Sequence, residues 1–261
     1  MRRATRGFTL VELVTVLVLL GILAVGVSSF LIFGTRIFVD SAAIDRIIGS
    51  SRYAMERMTR ELRSSVPGSL RLNDNGTVQC LEFVPIAASS SYLEMPFESS
   101  SNQGRIFTPS IPLQSGWQLI IYPLTSDEIY DDRLDKRFTI ASSSTTGDTT
   151  QVNFDRSVRF AEASPAQRFY AASSPVSYCF FVSGELVRYQ GYGYSRSQNL
   201  PPASTGVLMA ENMANDFSQQ LPVTIAPASL TNNAIVQLSP RFAVAGESFT
   251  YQHQVQVFNV P

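Results

Sequence analysis

A single carboxylate inside a long apolar run is the feature of this sequence best placed to do chemistry. The run extends from Phe8 to Phe33, and Glu12 is its only charged residue. A carboxylate at a helix centre in lipid costs about 2.5–3.5 kcal/mol on insertion scales, so a partner of opposite charge is expected. Cleavage between Gly7 and Phe8 would create that partner, because the new N-terminal amine lies four residues before Glu12 on one helical face. The amine of a neighbouring subunit would serve equally well.

A basic leader precedes the run, formed by Arg2, Arg3 and Arg6. The leader, the sequence Gly-Phe-Thr-Leu-Val-Glu and the apolar stretch resemble the class III signal of type IV pilins and type II secretion pseudopilins. The resemblance implies that a prepilin peptidase removes residues 1–7 and methylates the new N-terminus at Phe8. It also implies that the helix anchors the subunit in the inner membrane and later packs in a filament. Glu12 would then form an assembly salt bridge with a neighbour's amine.

Two other interpretations explain this N-terminus less well. An ordinary secretory signal has an apolar core of about 7–15 residues and a small-residue cleavage site, whereas this run is longer and no such site follows it. A plain single-pass anchor fits the length, since about 20 residues span the hydrocarbon, but it leaves Glu12 without a role. The arginines before the run predict a cytoplasmic N-terminus, so the rest of the chain is expected in the periplasm.

Composition limits the remaining function classes. With 261 residues, the chain can hold one sizeable domain beyond the anchor, or two small ones. Loss of the leader leaves 17 basic against 21 acidic side chains, a charge of −4, which argues against nucleic acid as a partner. His253 is the only histidine, and nucleophile-elbow, zinc-protease and phosphate-loop motifs are missing from the sequence. We therefore expect neither an enzyme nor a cofactor.

The two cysteines, Cys80 and Cys179, fall in the part expected in the periplasm. That compartment is oxidising, so we predict a disulfide between them. A metal site is not expected, because there is one histidine and no CxxC pair. The acidic residues between Asp127 and Asp135 could bind calcium through clustered oxygens. A solvated loop is favoured over calcium there, because Arg133, Lys136 and Arg137 lie in or beside the patch, and the sequence leaves this choice open.

The helix is predicted to continue beyond the membrane. Residues 8–34 form its transmembrane half, and residues 35–66 keep a 3- or 4-residue period of apolar side chains, as in an amphipathic helix. The predicted stripe comprises Ile37, Ile44, Ile48, Met55, Met58 and Leu62. The polar face is assigned Arg36, Asp40, Asp45, Arg46, Arg52, Glu56, Arg57, Arg60, Glu61 and Arg63. Pro67-Gly68 is expected to end the helix.

Residues 67–261 are predicted to form a β-rich head, which makes the fold class α+β: a long N-terminal helix packed on an antiparallel head. The predicted strands are Val78–Pro85, Trp117–Pro123, Arg137–Ala141, Gln151–Phe154, Ser177–Val182, Leu186–Tyr189, Ala234–Leu238 and Ser248–Val257. Exposed loops are predicted at Ser89–Tyr92, Ser99–Asn102 and Ser142–Thr150, and a short helix at Ala210–Phe217. A tyrosine cluster, Tyr189, Tyr192 and Tyr194, either packs at a strand edge or presents a binding surface.

Several later segments narrow the resemblance to one branch of minor pilins. They are residues 56–63, 80–86, 209–212 and 254–261, which resemble minor pilins of the mannose-sensitive haemagglutinin (MSHA) pilus, related to PilW-type minor pilins and J-type pseudopilins. The resemblance implies a low-copy structural subunit that helps start a filament and sits near its tip. Its implied partners are other major and minor pilins and an inner-membrane assembly platform. A secretion pseudopilin is the alternative, and a membrane-anchored adhesive module is a remote one.

Overall fold

The fold is α+β, as predicted, with one long helix followed by antiparallel strands. The computed structural model describes residue 7, residues 9–226 and residues 233–257. Its helical segments are α1 (Leu10–Arg63), α2 (Ser126–Tyr130) and a 3₁₀ turn at Asp132–Leu134. Its strands are β1 (Arg71–Asp74), β2 (Val78–Phe83), β3 (Ala88–Glu94), β4 (Ser101–Phe107), β5 (Gln118–Ile121), β6 (Arg137–Thr146), β7 (Thr149–Val158), β8 (Arg168–Ala172), β9 (Val176–Phe181), β10 (Leu186–Gln190), β11 (Val207–Ala210), β12 (Val223–Ala226), β13 (Ala234–Leu238), β14 (Arg241–Val244), β15 (Glu247–Thr250) and β16 (His253–Val257).

The chain divides into two compact units, Met1–Arg46 and Ile47–Pro261, and α1 contributes to both. In the first unit its large apolar side chains are exposed, from Leu10 at 78% to Phe30 at 74%. By length and composition α1 can cross a membrane, with a mean hydropathy of 2.8 over its most apolar window, and it is the one such helix in the described ranges. Exposed apolar surface on this scale requires lipid or other helices around it, which supports membrane anchoring.

In the second unit α1 buries one face against the head. Its buried residues are Ser51, Ala54, Met55, Met58, Thr59 and Leu62. Met58 and Leu62 share one core with Phe83, Tyr178 and Phe180 of the sheet. The predicted amphipathic stripe is therefore confirmed in this part of the helix, where burial of apolar area rather than helix propensity supplies most of the stability.

The C-terminal end of α1 is set by two serines. The Ser64 hydroxyl donates to the Arg60 carbonyl oxygen at 3.2 Å, and the Ser65 hydroxyl donates to the Leu62 carbonyl oxygen at 2.7 Å. Such side-chain bonds satisfy carbonyls that the last helical turn leaves unpaired. The helix therefore ends at Arg63, slightly before the Pro67-Gly68 pair predicted to end it.

The sheet that packs on α1 has the strand order β1-β2-β9-β10-β11. Its neighbours β2 and β9 are antiparallel, with Phe83 opposite Val176. The residues between these two strands, 84–175, leave the sheet and return to it at the same place. They contain β3 to β8, which close into a barrel of order β3-β4-β7-β6-β5-β8. The head is thus a sheet with a barrel inserted between two paired strands.

The barrel has its own apolar core. Phe138 and Phe160 meet edge to face with ring centroids 4.7 Å apart, and Phe154 lies 5.8 Å from Phe160. A separate cluster, which includes Val66 after α1, Val84 after β2 and Ile120 of β5, joins the barrel to the end of the helix. These contacts hold the inserted barrel in one compact unit with the sheet.

The C-terminal strands complete the core beneath α1. β12, β13 and β16 form a three-stranded sheet, and β14 pairs with β15. Val223, Val236 and Val255 from the three-stranded sheet are buried in the same core as Met58. The core under α1 therefore joins residues from near both ends of the second unit.

Several element predictions are wrong, and turn chemistry explains the largest error. Ser142–Thr150 is not a loop but the paired ends of β6 and β7, joined by Gly147 and Asp148. Gly147 has φ of 60°, which suits the first central position of a two-residue hairpin turn. The hydroxyls of Thr145 and Thr150 hydrogen-bond across the strands at 2.9 Å. Polar side chains thus pair across two neighbouring strands, although their composition predicted a loop.

Three smaller corrections concern other segments. Ser89–Tyr92, predicted as a loop, lies within β3 and pairs with β8 of the barrel. The predicted helix at Ala210–Phe217 does not form, because the backbone there bonds to a distant segment, with the Ala214 amide donating to the Arg241 carbonyl oxygen at 2.7 Å. The predicted strand Ser248–Val257 is two strands, β15 and β16, with Tyr251 between them.

Candidate functional site

The start of α1 brings Glu12 and Thr9 together. The Glu12 Oε2 atom accepts from the Thr9 backbone amide at 3.0 Å and from the Thr9 hydroxyl at 2.9 Å. In return the Thr9 Oγ1 atom accepts from the Glu12 backbone amide at 3.2 Å. Helix α1 begins at Leu10, so Thr9 is the N-cap and Glu12 the third helical residue. This reciprocal arrangement is a capping box, which satisfies backbone donors that have no partner within the helix.

The capping box gives the Glu12 carboxylate a partner within its own chain. It offsets part of the cost of burying that carboxylate in lipid, because hydrogen bonds to the charged form stabilise it. A carboxylate has about four lone-pair sites, so it can still accept from an amine. Thr9 was not singled out from the sequence, although the pattern Thr-x-x-Glu before an apolar run is a readable capping signal.

The residues predicted for processing lie at the edge of the described chain. Gly7 is described and exposed. Phe8, the predicted methylation site, and the leader arginines Arg2, Arg3 and Arg6 lie outside the described residues. Cleavage after Gly7 and methylation at Phe8 therefore stay predictions.

Comparison with known families identifies the class of this segment. Residues 2–28 match the prokaryotic N-terminal methylation motif. The motif carries the class III signal, so it supports a prepilin of the type IV pilin-like or pseudopilin-like kind, processed by a prepilin peptidase and assembled with other pilins. Comparisons with curated proteins and with solved structures gave no match.

The disulfide predicted from the sequence is present. Cys80 of β2 and Cys179 of β9 lie directly opposite each other, with Cα atoms 4.1 Å apart, and their sulfurs are bonded. Both residues are fully buried. Since the barrel is inserted between β2 and β9, the bond closes the chain segment that contains the whole barrel. A disulfide of this kind stabilises mainly by restricting the unfolded chain.

A charged network fixes α1 to the sheet. It shows that the predicted assignment of Glu61 to the polar face was wrong. Glu61, assigned to the polar face from the sequence, accepts through Oε2 from Arg188 Nε at 3.0 Å and from the Tyr178 hydroxyl at 3.1 Å. Its Oε1 atom accepts from Arg57 Nε at 3.0 Å. Arg188 is only 8% exposed, and burial of the Tyr178 ring raises the pKa of its phenol, with the Glu61 carboxylate adding to the effect. Glu61 therefore faces the sheet, because a buried arginine there needs a counter-charge.

The acidic patch is organised by arginines. The Asp131 carboxylate accepts from Arg133 Nη2 at 2.7 Å and pairs with Arg196 Nε at 2.9 Å. The hydrogen bonds from Arg133 hold the pKa of the Asp131 carboxyl well below its usual range. Among the described residues no group of three or more His, Cys, Asp or Glu side chains is arranged to hold a metal ion.

The tyrosine cluster belongs to the packing of the head. The Tyr192 hydroxyl lies 2.6 Å from the Ser177 hydroxyl. The Tyr194 ring packs 6.1 Å from the Tyr130 ring, with the Arg137 guanidinium 4.2 Å from its centroid. These contacts attach the segment after β10 to β9, α2 and β6, as expected for packing at a strand edge.

Proposed function

We propose that this chain is a minor prepilin, a low-copy structural subunit that acts in the initiation and assembly of a type IV pilus of the MSHA kind, near the tip of the filament. The observation that carries the proposal is the methylation motif at residues 2–28, continuous with a helix able to cross a membrane. The β-rich head on the same helix is the layout that the resemblance implies. No step of this role requires catalysis by the chain itself.

We assign the processing roles as follows. A prepilin peptidase cuts between Gly7 and Phe8 and methylates the Phe8 amine. The mature chain then sits in the inner membrane with its N-terminus on the cytoplasmic side and its head in the periplasm. Two observations support this orientation: the arginines that precede the apolar run and the Cys80–Cys179 disulfide of the head, since disulfides form in oxidising compartments.

Glu12 is assigned the assembly role. Its carboxylate lies in the apolar half of α1 and is hydrogen-bonded to Thr9, and its remaining acceptor capacity is free for the amine of a neighbouring subunit. The capping box fixes where the carboxylate points, because both Thr9 donors meet one of its oxygens. The second oxygen is then available to the incoming amine.

Substitution of Glu12 tests this role when Thr9 is the control. Glu12→Ala removes the charge and the cap, whereas Thr9→Ala removes the side-chain half of the cap and keeps the charge. If the carboxylate pairs with a neighbour's amine, Glu12→Ala abolishes crosslinking to adjacent subunits while Thr9→Ala lowers it only slightly. Equal effects of the two substitutions would reduce Glu12 to a capping residue. Immunoblots for leader cleavage and for the level of each variant accompany the crosslinking.

A minor pseudopilin of a type II secretion system, similar to the J-type, is the second candidate. The motif at residues 2–28 supports it equally, because both machines use the same signal. Deletion of the gene separates the two functions. Loss of surface pili with normal secretion supports the pilus role, and loss of secretion with normal piliation supports the pseudopilus role.

A further inference from the structure

A groove on the second unit runs along the exposed face of α1. Its volume is about 600 Å³. Met55 and Thr59 of α1, both buried, line its base. Tyr251, Gln252 and His253 form the opposite wall. The Tyr251 hydroxyl accepts from the Ser51 hydroxyl at 3.3 Å, which ties this wall to the helix.

The rim of the groove carries three arginines that have no counter-ion among the described residues. Arg52, Arg60 and Arg63 line it together with Glu56, and all four are exposed. Their spacing places them along one side of the helix. Within residues 9–226 and 233–257, none of the three guanidinium groups makes an ion pair or a side-chain hydrogen bond. Glu56 makes none there either, so the rim has three positive charges against one negative charge.

On the other side of the same helix, arginines pair with an acidic residue of the chain itself. Arg57 and Arg188 both bind Glu61. The acid that α1 turns toward the head is thus already paired with two arginines, and it is not available to the groove. An excess of guanidinium groups beside an apolar base matches a partner that brings carboxylates, which arginine binds in planar, two-point geometry.

We propose that this groove binds an acidic segment of another subunit of the same filament, with carboxylates on the arginine rim and an apolar side chain over Met55. The inference rests on the proposed function, since it takes the partner to be a pilin-like subunit. A protein segment suits the site better than a membrane surface, because the groove is concave and lies between a helix and the start of β16. The arginines would also speed and orient docking, since complementary charge steers encounter.

The test uses the full chain in cells that assemble the filament. A photoreactive residue is placed at His253 in the groove wall, and in a second strain at Leu17 in the apolar half of α1. We expect His253 to crosslink to another pilin-like subunit. The triple substitution Arg52→Glu, Arg60→Glu, Arg63→Glu should lower that crosslink by roughly tenfold or more and leave the Leu17 crosslink in place. Arg105→Glu, which alters an exposed arginine of the barrel, is the matched control and should change neither crosslink.

Two further variants keep the test decisive if charge reversal impairs folding, as judged by protease resistance of the head. Replacement of the three arginines by lysine should keep part of the His253 crosslink, because the charge stays while the two-point geometry is lost, and replacement by glutamine should lose most of it. A His253 crosslink that persists in the glutamine variant, or that forms with lipid alone, overturns the inference. So does a missing His253 crosslink when Leu17 still crosslinks to other pilins. If neither position crosslinks to a pilin, the proposed function falls, and this inference with it.

Discussion

The two parts of the head hold themselves together in different ways. In the sheet region, α1 is fixed by a buried core and by Glu61, which binds Arg57, Arg188 and Tyr178. In the inserted barrel, the core is aromatic and the ion pair between neighbouring strands, Glu94 with Arg105, is largely exposed. A buried charged network is costly to break, whereas an exposed pair contributes little. Loss of the Glu61 carboxylate should therefore cost far more than loss of the exposed Glu94–Arg105 pair.

Two spectroscopic signals can separate these regions. Trp117 is the only tryptophan and packs against the barrel core, so its fluorescence reports on the barrel. Far-ultraviolet circular dichroism is dominated by α1. The predictions below use both signals on detergent-solubilised protein unfolded by urea, from the largest expected effect to the smallest.

Removal of the disulfide should have the largest effect and should act on both regions. Cys80→Ala with Cys179→Ala opens a closed segment whose ends are 99 residues apart in sequence, which predicts a loss of up to about 4.7 kcal/mol in the free energy of unfolding. Because the bond joins the strands on either side of the barrel, both signals should shift to lower urea. Reduction of the unsubstituted protein should reproduce the shift. A loss below about 1 kcal/mol would contradict this account.

Glu61→Ala should destabilise the sheet region by about 3 kcal/mol, because it leaves Arg188 buried without a counter-charge. The dichroism signal should respond most strongly. Glu56→Ala is the matched control, since Glu56 lies on the same helix, is exposed and makes no ion pair with any described residue. It should stay within about 0.5 kcal/mol of the parent. Equal effects of the two substitutions would remove the distinction between the two sides of α1.

Gly104→Ala should weaken the barrel by about 1 kcal/mol. A Cβ atom at this position would lie 2.5 Å from the Met95 sulfur, so that side chain must move, and methionine is flexible enough to keep the cost moderate. Tryptophan fluorescence should report the change. Gly193→Ala, where an added Cβ meets nothing within 4 Å, should be neutral. Met95→Ala in the same chain should remove most of the extra cost of Gly104→Ala, as a double-mutant cycle would show.

Glu94→Ala should have the smallest effect, below about 1 kcal/mol, because exposed ion pairs contribute little. The Glu94 side chain is 74% exposed and that of its partner Arg105 is 59% exposed. The effect should fall further in high salt. A cycle with Arg105→Ala measures the pair alone. A coupling free energy as large as the Glu61 effect would show that the barrel also depends on charge.

The sequence predicted the regions where one physical constraint dominates. An apolar run with a single carboxylate has few explanations, so the anchor could be inferred, and the spacing of Met55, Met58 and Leu62 predicted the buried stripe. The barrel could not be inferred, because closure depends on pairing between distant strands such as β3 and β8. Its serine- and threonine-rich strands resemble loops in composition.

Glu61 shows a second limit of sequence interpretation. Glu61 was assigned with Arg57 to the polar face of α1, and it does pair with Arg57. Its contact with Arg188 depends on how α1 rotates against the sheet, which periodicity alone does not determine to within one residue. The capping box of Thr9 and Glu12 is different, since its signal is local and was available in the sequence.

The central claim is that this chain is a processed prepilin, and the intact mass of the protein extracted from membranes tests it most directly. In cells with an active prepilin peptidase, the mass should correspond to residues 8–261 with one methyl group added and with Cys80 and Cys179 oxidised. Gly7→Val, which alters the residue before the cut, should retain the leader. A full-length mass in peptidase-positive cells, or normal cleavage of the Gly7→Val variant, would contradict the account.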